Sequence, residues 1–249
     1  MISDAEYAAA ALSESRRVVA LTGAGISVES GIPDFRSPGG LWSVFPPEEY
    51  ATLSVFKADP IKAWVFYRAL AESMGGKKPN SAHLALAELE RHRRLRGIIT
   101  QNIDRLHQVA GSREVLELHG DHAGLRCLAC HERTDFDPLF IDKATPPPRC
   151  KHCTTYLKPD VVLFHEPVRA MDQAQAWVET CDLMLVIGTS AQVLPAAGLP
   201  ARVLAGGGSL LEFNVEMTHL SRAGLGPRGR LIRGPAGQTL PEVLSHLGL

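Results

Sequence analysis

The sequence predicts an open α/β fold, in which helices cover a parallel sheet. Six short runs rich in Val, Ile and Leu are each followed by a glycine or a polar break, and helical patterns lie between them. Strands that alternate with helices at this spacing indicate buried parallel strands. Because such sheets bind ligands beyond the carboxyl ends of their strands, the polar residues closing each strand are the first functional candidates.

The predicted strands are residues 18–23, 97–102, 114–120, 160–164, 183–190 and 209–214. The predicted helices are residues 4–15, 60–73, 81–92, 104–109, 171–179 and 240–247. Two segments interrupt this alternation. Residues 36–80 are rich in proline at first and then helical, and residues 120–158 lack long apolar runs. The second segment is predicted to be a small inserted module.

Composition limits the classes of partner. The chain has 249 residues with 45% hydrophobic and 21% charged residues, which is typical of a globular protein. Its net charge of -1 predicts no general attraction to nucleic acid. The N-terminus lacks a signal-peptide pattern, and no apolar run reaches the roughly 20 residues of a membrane span. We therefore expect no membrane partner and a cytoplasmic location. The sequence does not determine the oligomeric state and is compatible with a monomer.

Four of the five cysteines form two C-x-x-C pairs, Cys127 with Cys130 and Cys150 with Cys153. Two such turns can present four thiolates to one tetrahedral ion. Four protein ligands leave no open position, so the site would be structural, and zinc is favoured over a rubredoxin-type iron with the same ligands. Disulfides are the alternative, which an intracellular location disfavours.

A glycine turn follows the first strand. Gly23 and Gly25 would allow a tight turn and the close approach of a pyrophosphate. Since Val28 occupies the third glycine position of G-x-G-x-x-G, a plain tight turn is an open alternative.

Polar groups also close the other predicted strands. Gln101, Asn102 and Asp104 suit ribose hydroxyls and an amide, although Asn102 or Asp104 could instead cap the next helix. His119 lies at another strand end, where its ordinary pKa near 6.5 suits proton transfer, with a structural role as the alternative. Further hydroxyl and amide groups close two more strands: Thr189, Ser190 and Asn214.

Seven motifs occur in order along the chain: GAGISVESGIPDFR, TQNID, LHG, the paired C-x-x-C, KPDVVLFHE, GTS and FN. Their order and spacing resemble the sirtuins, which are NAD-dependent protein lysine deacylases, and most closely their short prokaryotic forms. The resemblance covers nearly the whole chain from Val18 onward. It implies a Rossmann-like domain formed by residues 1–35, 81–119 and 159–249, a cofactor loop and helical insertion at 36–80, and a zinc module at 120–158.

The resemblance also implies ligands and roles. NAD would be a co-substrate and zinc structural, with acyl-lysine proteins or peptides as substrates. The implied NAD-binding residues are Gly23, Ala24, Gly25, Phe35, Arg36, Gln101, Asn102, Ile103, Asp104, Gly188, Thr189, Ser190 and Asn214. The implied substrate-binding residues are Tyr67, Leu70, Val161, Val162, Phe164, His165, Glu166 and Val193. Asp34 would hold the cofactor loop, which must open to release nicotinamide.

In the implied mechanism, the acyl oxygen of the substrate attacks C1′ of the nicotinamide ribose, nicotinamide leaves, and an alkylimidate forms. His119 is then the general base that lets a ribose hydroxyl attack the imidate, while Asn102 and Asp104 complete the catalytic set. The products would be free lysine, nicotinamide and O-acyl-ADP-ribose.

Two departures from the family pattern bear on substrate choice. Family members that prefer succinyl or malonyl lysine have Tyr-x-x-Arg, whereas Tyr67 is followed by Leu70, and Arg68 lies about 100° round the helix. Acetyl or longer neutral acyl groups are therefore expected over succinyl. His165 replaces the usual glycine; it would add bulk beside the peptide or require a negative φ, or face outward with little effect.

Two other functions are weighed. ADP-ribosyl transfer or NAD hydrolysis would share the first attack at C1′, and a non-enzymatic NAD-sensing or zinc-stabilised module would need no base. The presence of His119 with Asn102 and Asp104 favours deacylation over both.

Overall fold

This computed structural model describes residues 2–37, 39–135 and 146–249 of the chain. Residue 38 of the predicted cofactor loop and residues 136–145 of the predicted cysteine module lie outside the described residues. Within them, no helix is both long and apolar enough to span a membrane.

The main sheet is parallel and confirms the predicted fold class. Its strands are β1 Val18–Thr22, β2 Gly97–Thr100, β3 Val115–Glu117, β7 Leu183–Ile187, β8 Ser209–Asn214 and β9 Gly229–Arg233. Their order across the sheet is β3-β2-β1-β7-β8-β9. The chain therefore reverses its direction of winding between β1 and β7, which is the position where open α/β sheets form a ligand-binding crevice.

Helices cover both faces of this sheet. The helices are α1 Asp4–Glu14, α2 Leu41–Val44, α3 Pro47–Tyr50, α4 Leu53–Ala58, α5 Pro60–Met74, α6 Ser81–Arg91, α7 Leu106–Ala110, α8 Met171–Glu179, α9 Leu199–Ala205, α10 His219–Arg222 and α11 Ala236–Leu247. Within the described ranges, short 3₁₀ helices span Ala24–Ser30, Ala196–Gly198 and Gly226–Arg228. Alternate strand residues point to opposite faces, so Ala20 packs in the core with α1, α6 and α11, and Leu21 packs in the core with α8 and α9.

A second, antiparallel sheet carries the cysteine pairs. It contains β4 Gly120–Cys127, β5 Arg133–Asp135 and β6 Leu157–Val161, in the order β5-β4-β6. Its apolar side chains share one core with α5, and the Trp64 indole N–H donates to the Leu157 carbonyl at 2.9 Å. The two segments that interrupt the α/β alternation thus form a single lobe with a common core.

One strand prediction is corrected, and one strand was not predicted. Residues 160–164 were expected as a strand of the parallel sheet, but β6 ends at Val161 and pairs antiparallel with β4. Phe164 instead forms an isolated bridge with Thr52. The apolar run alone does not distinguish the two sheets, because pairing depends on distant residues. Strand β9 was not predicted, since its sequence GRLIR contains two arginines.

The turns after β1 and β7 touch through their backbones. The Gly25 N–H donates to the Gly188 carbonyl at 2.8 Å. Gly188 has φ of 56°, and a Cβ on it would lie 2.3 Å from the Ile26 nitrogen. A Cβ on Gly25 would likewise lie 2.7 Å from the Gly188 carbonyl oxygen, so packing requires glycine at both positions, and the positive φ is a further reason only at Gly188.

We expect Gly188→Ala to lower the free energy of unfolding by at least about 2 kcal/mol, because it combines a positive φ with a backbone clash. Urea unfolding followed by circular dichroism measures the effect. Gly198→Ala is the matched control, because Gly198 has φ of -82° and a Cβ there meets nothing within 4 Å. Equal stability of the two variants would contradict this account of the turn.

Candidate functional site

Hydrogen bonds connect the polar residues that follow four strands. The Asn214 side-chain amide donates to the Thr189 carbonyl at 3.1 Å, and the Gln101 side-chain amide donates to the Thr189 hydroxyl at 3.0 Å. The Gln101 N–H donates to the Thr22 carbonyl at 3.0 Å, and its carbonyl accepts from His119 at 2.8 Å. The ends of β8, β7, β1 and β2 thus meet His119 in one continuous set of contacts, which we call the strand-end site.

The glycine turn contributes backbone donors to this site. The Gly23 and Gly25 N–H groups already donate to the Ile187 and Gly188 carbonyls, at 3.1 and 2.8 Å. For the Ala24 N–H, at the start of the 3₁₀ helix, the described residues provide no acceptor. The first N–H groups of a helix attract anions, so Ala24 is the residue of this turn best placed to donate to a phosphate.

Asn102 and Asp104 are buried beside this turn, with 8% and 9% of their surface exposed. The Asn102 amide donates to the Gly23 carbonyl and to the Ser27 hydroxyl, both at 3.2 Å. Asp104 accepts from the Ser27 hydroxyl at 2.6 Å and from the Leu106 N–H at 2.9 Å. One oxygen of Asp104 thus accepts from the first N–H of α7, although Arg105 occupies the N-cap position, and the other oxygen joins Ser27 and Asn102.

His119 lies between β3 and β4 and is partly buried. The Gln101 carbonyl can only accept a hydrogen, so the His119 Nδ1 carries the proton and Nε2 is left as a base. Burial lowers the pKa of His119, and the hydrogen bond to Gln101 opposes this only in part. The imidazole is therefore neutral at pH 7, the form that a general base requires.

The predicted cofactor loop is ordered by Asp34. Its carboxylate accepts from the N–H groups of Arg36 and Ser37, at 2.9 and 2.7 Å, and from the Ser37 hydroxyl at 2.5 Å. Partial burial raises the pKa of Asp34, but these hydrogen bonds and Arg36 outweigh it and leave the pKa lowered. The Phe35 ring packs against Trp42 with centroids 4.9 Å apart, and Arg36 is exposed.

The predicted peptide-binding strand is largely paired within the molecule. The Phe164 N–H donates to the Ala51 carbonyl at 3.0 Å, and its carbonyl accepts from Leu53 at 3.2 Å. The Val162 N–H donates to the His119 carbonyl at 2.7 Å. His165 is exposed and has φ of 70°, so the expectation that a residue here needs a negative φ is wrong. The chain keeps the left-handed conformation that glycine would adopt.

Glu166 is engaged inside the protein. Its carboxylate accepts from the Lys158 ammonium at 3.0 Å and from the Leu163 N–H at 2.8 Å. Lys158 is only 1% exposed, and burial lowers its pKa against the opposing effect of Glu166. A buried ammonium requires a negatively charged partner, so Glu166 stabilises the burial of Lys158 on β6.

Tyr67 and Leu70 lie in the small lobe and are buried, with 3% and 6% exposure. Among the described residues, the Tyr67 hydroxyl has no hydrogen-bond partner. Its pKa is raised by burial and by the nearby charge of Glu166. Val193 lies between β7 and α9, partly buried, and Ile103 packs against the small-lobe core.

Sequence reasoning missed several residues of this region. Ser27 joins Asn102 to Asp104, Lys158 anchors Glu166, and Trp42 holds Phe35. Ser27 lies inside the GAGIS motif and could have been singled out there. Lys158 and Trp42 contact residues only eight and seven positions away, and Lys158 and Glu166 begin and end the KPDVVLFHE motif, but the residue pattern alone does not show that these side chains meet.

The four predicted cysteines converge in the small lobe. Their sulfur atoms all lie within 4.8 Å of one another, and those of Cys130 and Cys150 are 3.7 Å apart. A zinc ion with Zn–S bonds of about 2.3 Å would place tetrahedral sulfurs about 3.8 Å apart. Both C-x-x-C turns end in a residue with positive φ, His131 at 63° and Thr154 at 60°. All five cysteines are free, so the disulfide alternative is not what the structure contains.

The cysteine electrostatics also fit a cation. Hydrogen bonds from Thr155 and from backbone N–H groups lower the pKa of Cys127 to about 6. Hydrogen bonding to Cys130 and its charge raise the pKa of Cys153 to about 12. Two neighbouring thiolates repel each other unless a positive ion lies between them, so the donor set suits zinc.

We expect Cys150→Ser to lose most of the bound zinc, because one thiolate of four is removed. Metal analysis should find about one zinc ion per chain before the change, and hydrogen exchange should show the small lobe opening before β1 and β7. Cys181→Ser is the matched control, because Cys181 is buried in the core under α8 and α9. Full zinc content in Cys150→Ser would contradict the site.

Comparisons with known proteins agree with this geometry. The Sir2 family model matches residues 23–195. The chain is 44% identical to an NAD-dependent protein deacylase of Thermococcus kodakarensis, over 97% of this chain and 95% of the relative. It is 48% identical to an NAD-dependent protein deacetylase of Sulfurisphaera tokodaii, over 94% of this chain and 92% of that one.

Solved structures show the same fold with ligands. A Sir2 homolog–NAD complex has a TM-score of 0.89 and 42% identity, covering 98% of this chain and 93% of that one. A Sir2 mutant with a deacetylated p53 peptide and 3′-O-acetyl ADP-ribose has a TM-score of 0.89 and 34% identity, with full coverage of both chains. A Sir2 protein bound to a myristoylated histone peptide has a TM-score of 0.77 and 38% identity, covering 98% of this chain and 95% of that one.

The match to the family model spans more than half of the chain, and relatives above 40% identity cover nearly all of it. The strand order, the strand-end site and the four converging cysteines belong to one architecture. This chain is a member of the Sir2 family.

Proposed function

We propose that this Sir2 family member is an NAD-dependent protein lysine deacylase, which transfers the acyl group to ADP-ribose and releases nicotinamide. We further propose that it prefers acetyl or longer neutral acyl groups to succinyl. The observation that carries the proposal is the neutral His119, whose Nδ1–H is fixed on the Gln101 carbonyl while Nε2 is left as a base. Neither NAD sensing nor simple structural binding needs a base held in this form.

The donor set of the strand-end site suits NAD. The Ala24 N–H lies at a helix start that favours a phosphate, and Ser190 and Asn214 lie at the ends of neighbouring strands for the adenosine side. Gln101, Asn102 and Asp104 would hold the nicotinamide ribose and carboxamide. When bound, NAD supplies an electrophilic ribose carbon with nicotinamide as its leaving group. The role of His119 Nε2 is to take a proton from a ribose hydroxyl.

Internal hydrogen bonds of residues 161–166 limit the backbone positions that can pair with a substrate peptide. Val162 and Phe164 already use their N–H groups within the molecule, and the Leu163 N–H donates to Glu166. We therefore propose that backbone pairing with an acyl-lysine peptide is centred on His165 and completed by the loop at Val193. Phe35 would cover the nicotinamide end from the loop that Asp34 orders.

Charge supports the acyl preference. A succinyl carboxylate near Tyr67 would lie beside Glu166, whose charge is already paired with the Lys158 ammonium at 3.0 Å, and Leu70 provides no further cation to balance it. Burying an unpaired carboxylate is costly, whereas a neutral acyl chain would gain contact with the apolar core around Leu70.

The test is incubation with NAD and one peptide carrying acetyl, long-acyl or succinyl lysine, with mass spectrometry of free lysine and O-acyl-ADP-ribose. We expect kcat/KM for the neutral acyl peptides to exceed that for succinyl by at least about 100-fold, the cost of one buried unpaired charge. Efficient desuccinylation would overturn the acyl preference. Nicotinamide and free ADP-ribose without acyl transfer would instead identify an NAD-consuming enzyme.

We expect the acyl-transfer step to lose activity only below pH 6.5, because burial lowers the pKa of His119 and the base must be neutral. Single-turnover rates between pH 5 and 8 would show the acidic limb. His119→Ala should abolish acyl transfer with nearly unchanged affinity for NAD, and Ser245→Ala is an exposed control on α11. An acidic limb above pH 6.5, or transfer that survives in His119→Ala, would show that another group is the base.

A further inference from the structure

A buried polar chain runs beneath the strand-end site, and no step of the proposed mechanism uses it. His107 on α7 is 1% exposed, and its Nε2 lies 2.9 Å from the Thr22 hydroxyl. Thr22 donates to the Thr100 hydroxyl at 2.8 Å, and Thr100 accepts from the Asn102 N–H at 3.0 Å. Thr22 and Thr100 are register partners at the ends of β1 and β2.

The direction of these hydrogen bonds fixes the tautomer of His107. The Thr22 hydroxyl has one hydrogen, and it gives this hydrogen to Thr100. Nε2 must therefore donate to Thr22, which leaves Nδ1 as the unprotonated nitrogen. Among the described residues Nδ1 has no partner, as expected for a nitrogen without a hydrogen to place.

His107 cannot exchange protons with a ligand from this position. Burial and the neighbouring His83 ring, 4.9 Å away, lower its pKa to about 3, so it stays neutral. The contribution of the ring is thus a fixed donor. That donor orders two threonine hydroxyls, and the second of them holds the backbone of Asn102.

Asn102 is held from its other side as well. Its amide contacts the Gly23 carbonyl and Ser27, which is on the 3₁₀ helix of the glycine turn. Asn80 at the start of α6 donates to the Ile26 carbonyl at 2.7 Å and contacts the His83 ring at 3.1 Å. The paired histidines of α6 and α7 therefore lie directly below the turn and the strand end that Asn102 connects.

We propose that His107 is a positioning residue for Asn102, acting through Thr22 and Thr100, and that it sets the affinity of the site for the nicotinamide-ribose half of NAD. This inference rests on the proposed NAD site and deepens it. His107 touches no substrate in this assignment. Its effect reaches the ligand through the backbone of residue 102.

The test uses the intact chain and calorimetric affinities for NAD and for ADP, which lacks the nicotinamide ribose. We expect His107→Asn to weaken NAD binding by about five- to tenfold, the value of one lost hydrogen bond, with ADP binding unchanged. His107→Gln should restore most of the NAD affinity, because its amide reaches the position of Nε2 whereas that of asparagine does not. Ser112→Ala, buried beside His107, is the matched control and should bind NAD normally.

Further measurements distinguish a positioning role of His107 from an effect on folding stability and from a failure of the proposed function. Thr22→Val and His107→Asn should be non-additive in NAD affinity, because they break the same chain. Equal NAD affinity for His107→Asn and His107→Gln would overturn the inference. So would a loss of NAD affinity that is proportional, across the variants, to the decrease in their unfolding midpoints. Since affinities are measured without turnover, a wild-type chain that binds NAD but does not deacylate would defeat the proposed function alone.

Discussion

The contact between the turns after β1 and β7 is the constraint on which the rest of the site depends. Gly25 donates to Gly188 at 2.8 Å, and side chains at either position would collide with the opposite backbone. This contact joins the ends of β1 and β7 at the point where the winding of the sheet reverses. Gly23 and Gly25 both donate to internal carbonyls, whereas the Ala24 N–H between them has no acceptor among the described residues.

A second feature of the molecule is a set of three buried or partly buried histidines that stay neutral. His119, His83 and His107 all have a pKa lowered by burial, but their surroundings differ. His119 is partly exposed, and its Nε2 is available to a ligand. His107 and His83 are buried below the glycine turn. There an uncharged imidazole can form hydrogen bonds with hydroxyl and amide groups without changing its protonation state. Burial thus has the same electrostatic effect on all three rings, which the proposed mechanism uses for a base at His119 and the further proposal uses for a fixed donor at His107.

The small lobe connects the cysteine cluster to the strand-end site. Cys127 and Cys150 belong to the same core as α5, and β4 begins directly after His119. Asp160 on β6 is 2% exposed and is paired with Arg133 of β5 and with Arg169. An ion held by the cysteines therefore stabilises the sheet from which both His119 and the segment at His165 extend.

The sequence by itself determined the parallel α/β sheet, the two cysteine pairs and the polar residues at the strand ends. These features are local, because strand alternation, C-x-x-C spacing and the residues closing a strand are visible within short windows. The tertiary structure alone decided that residues 157–161 pair in the small sheet and that His107 reaches Asn102 through two threonines. Each of these depends on contacts between segments far apart in the chain, and the geometry of such contacts is fixed only when the whole core packs.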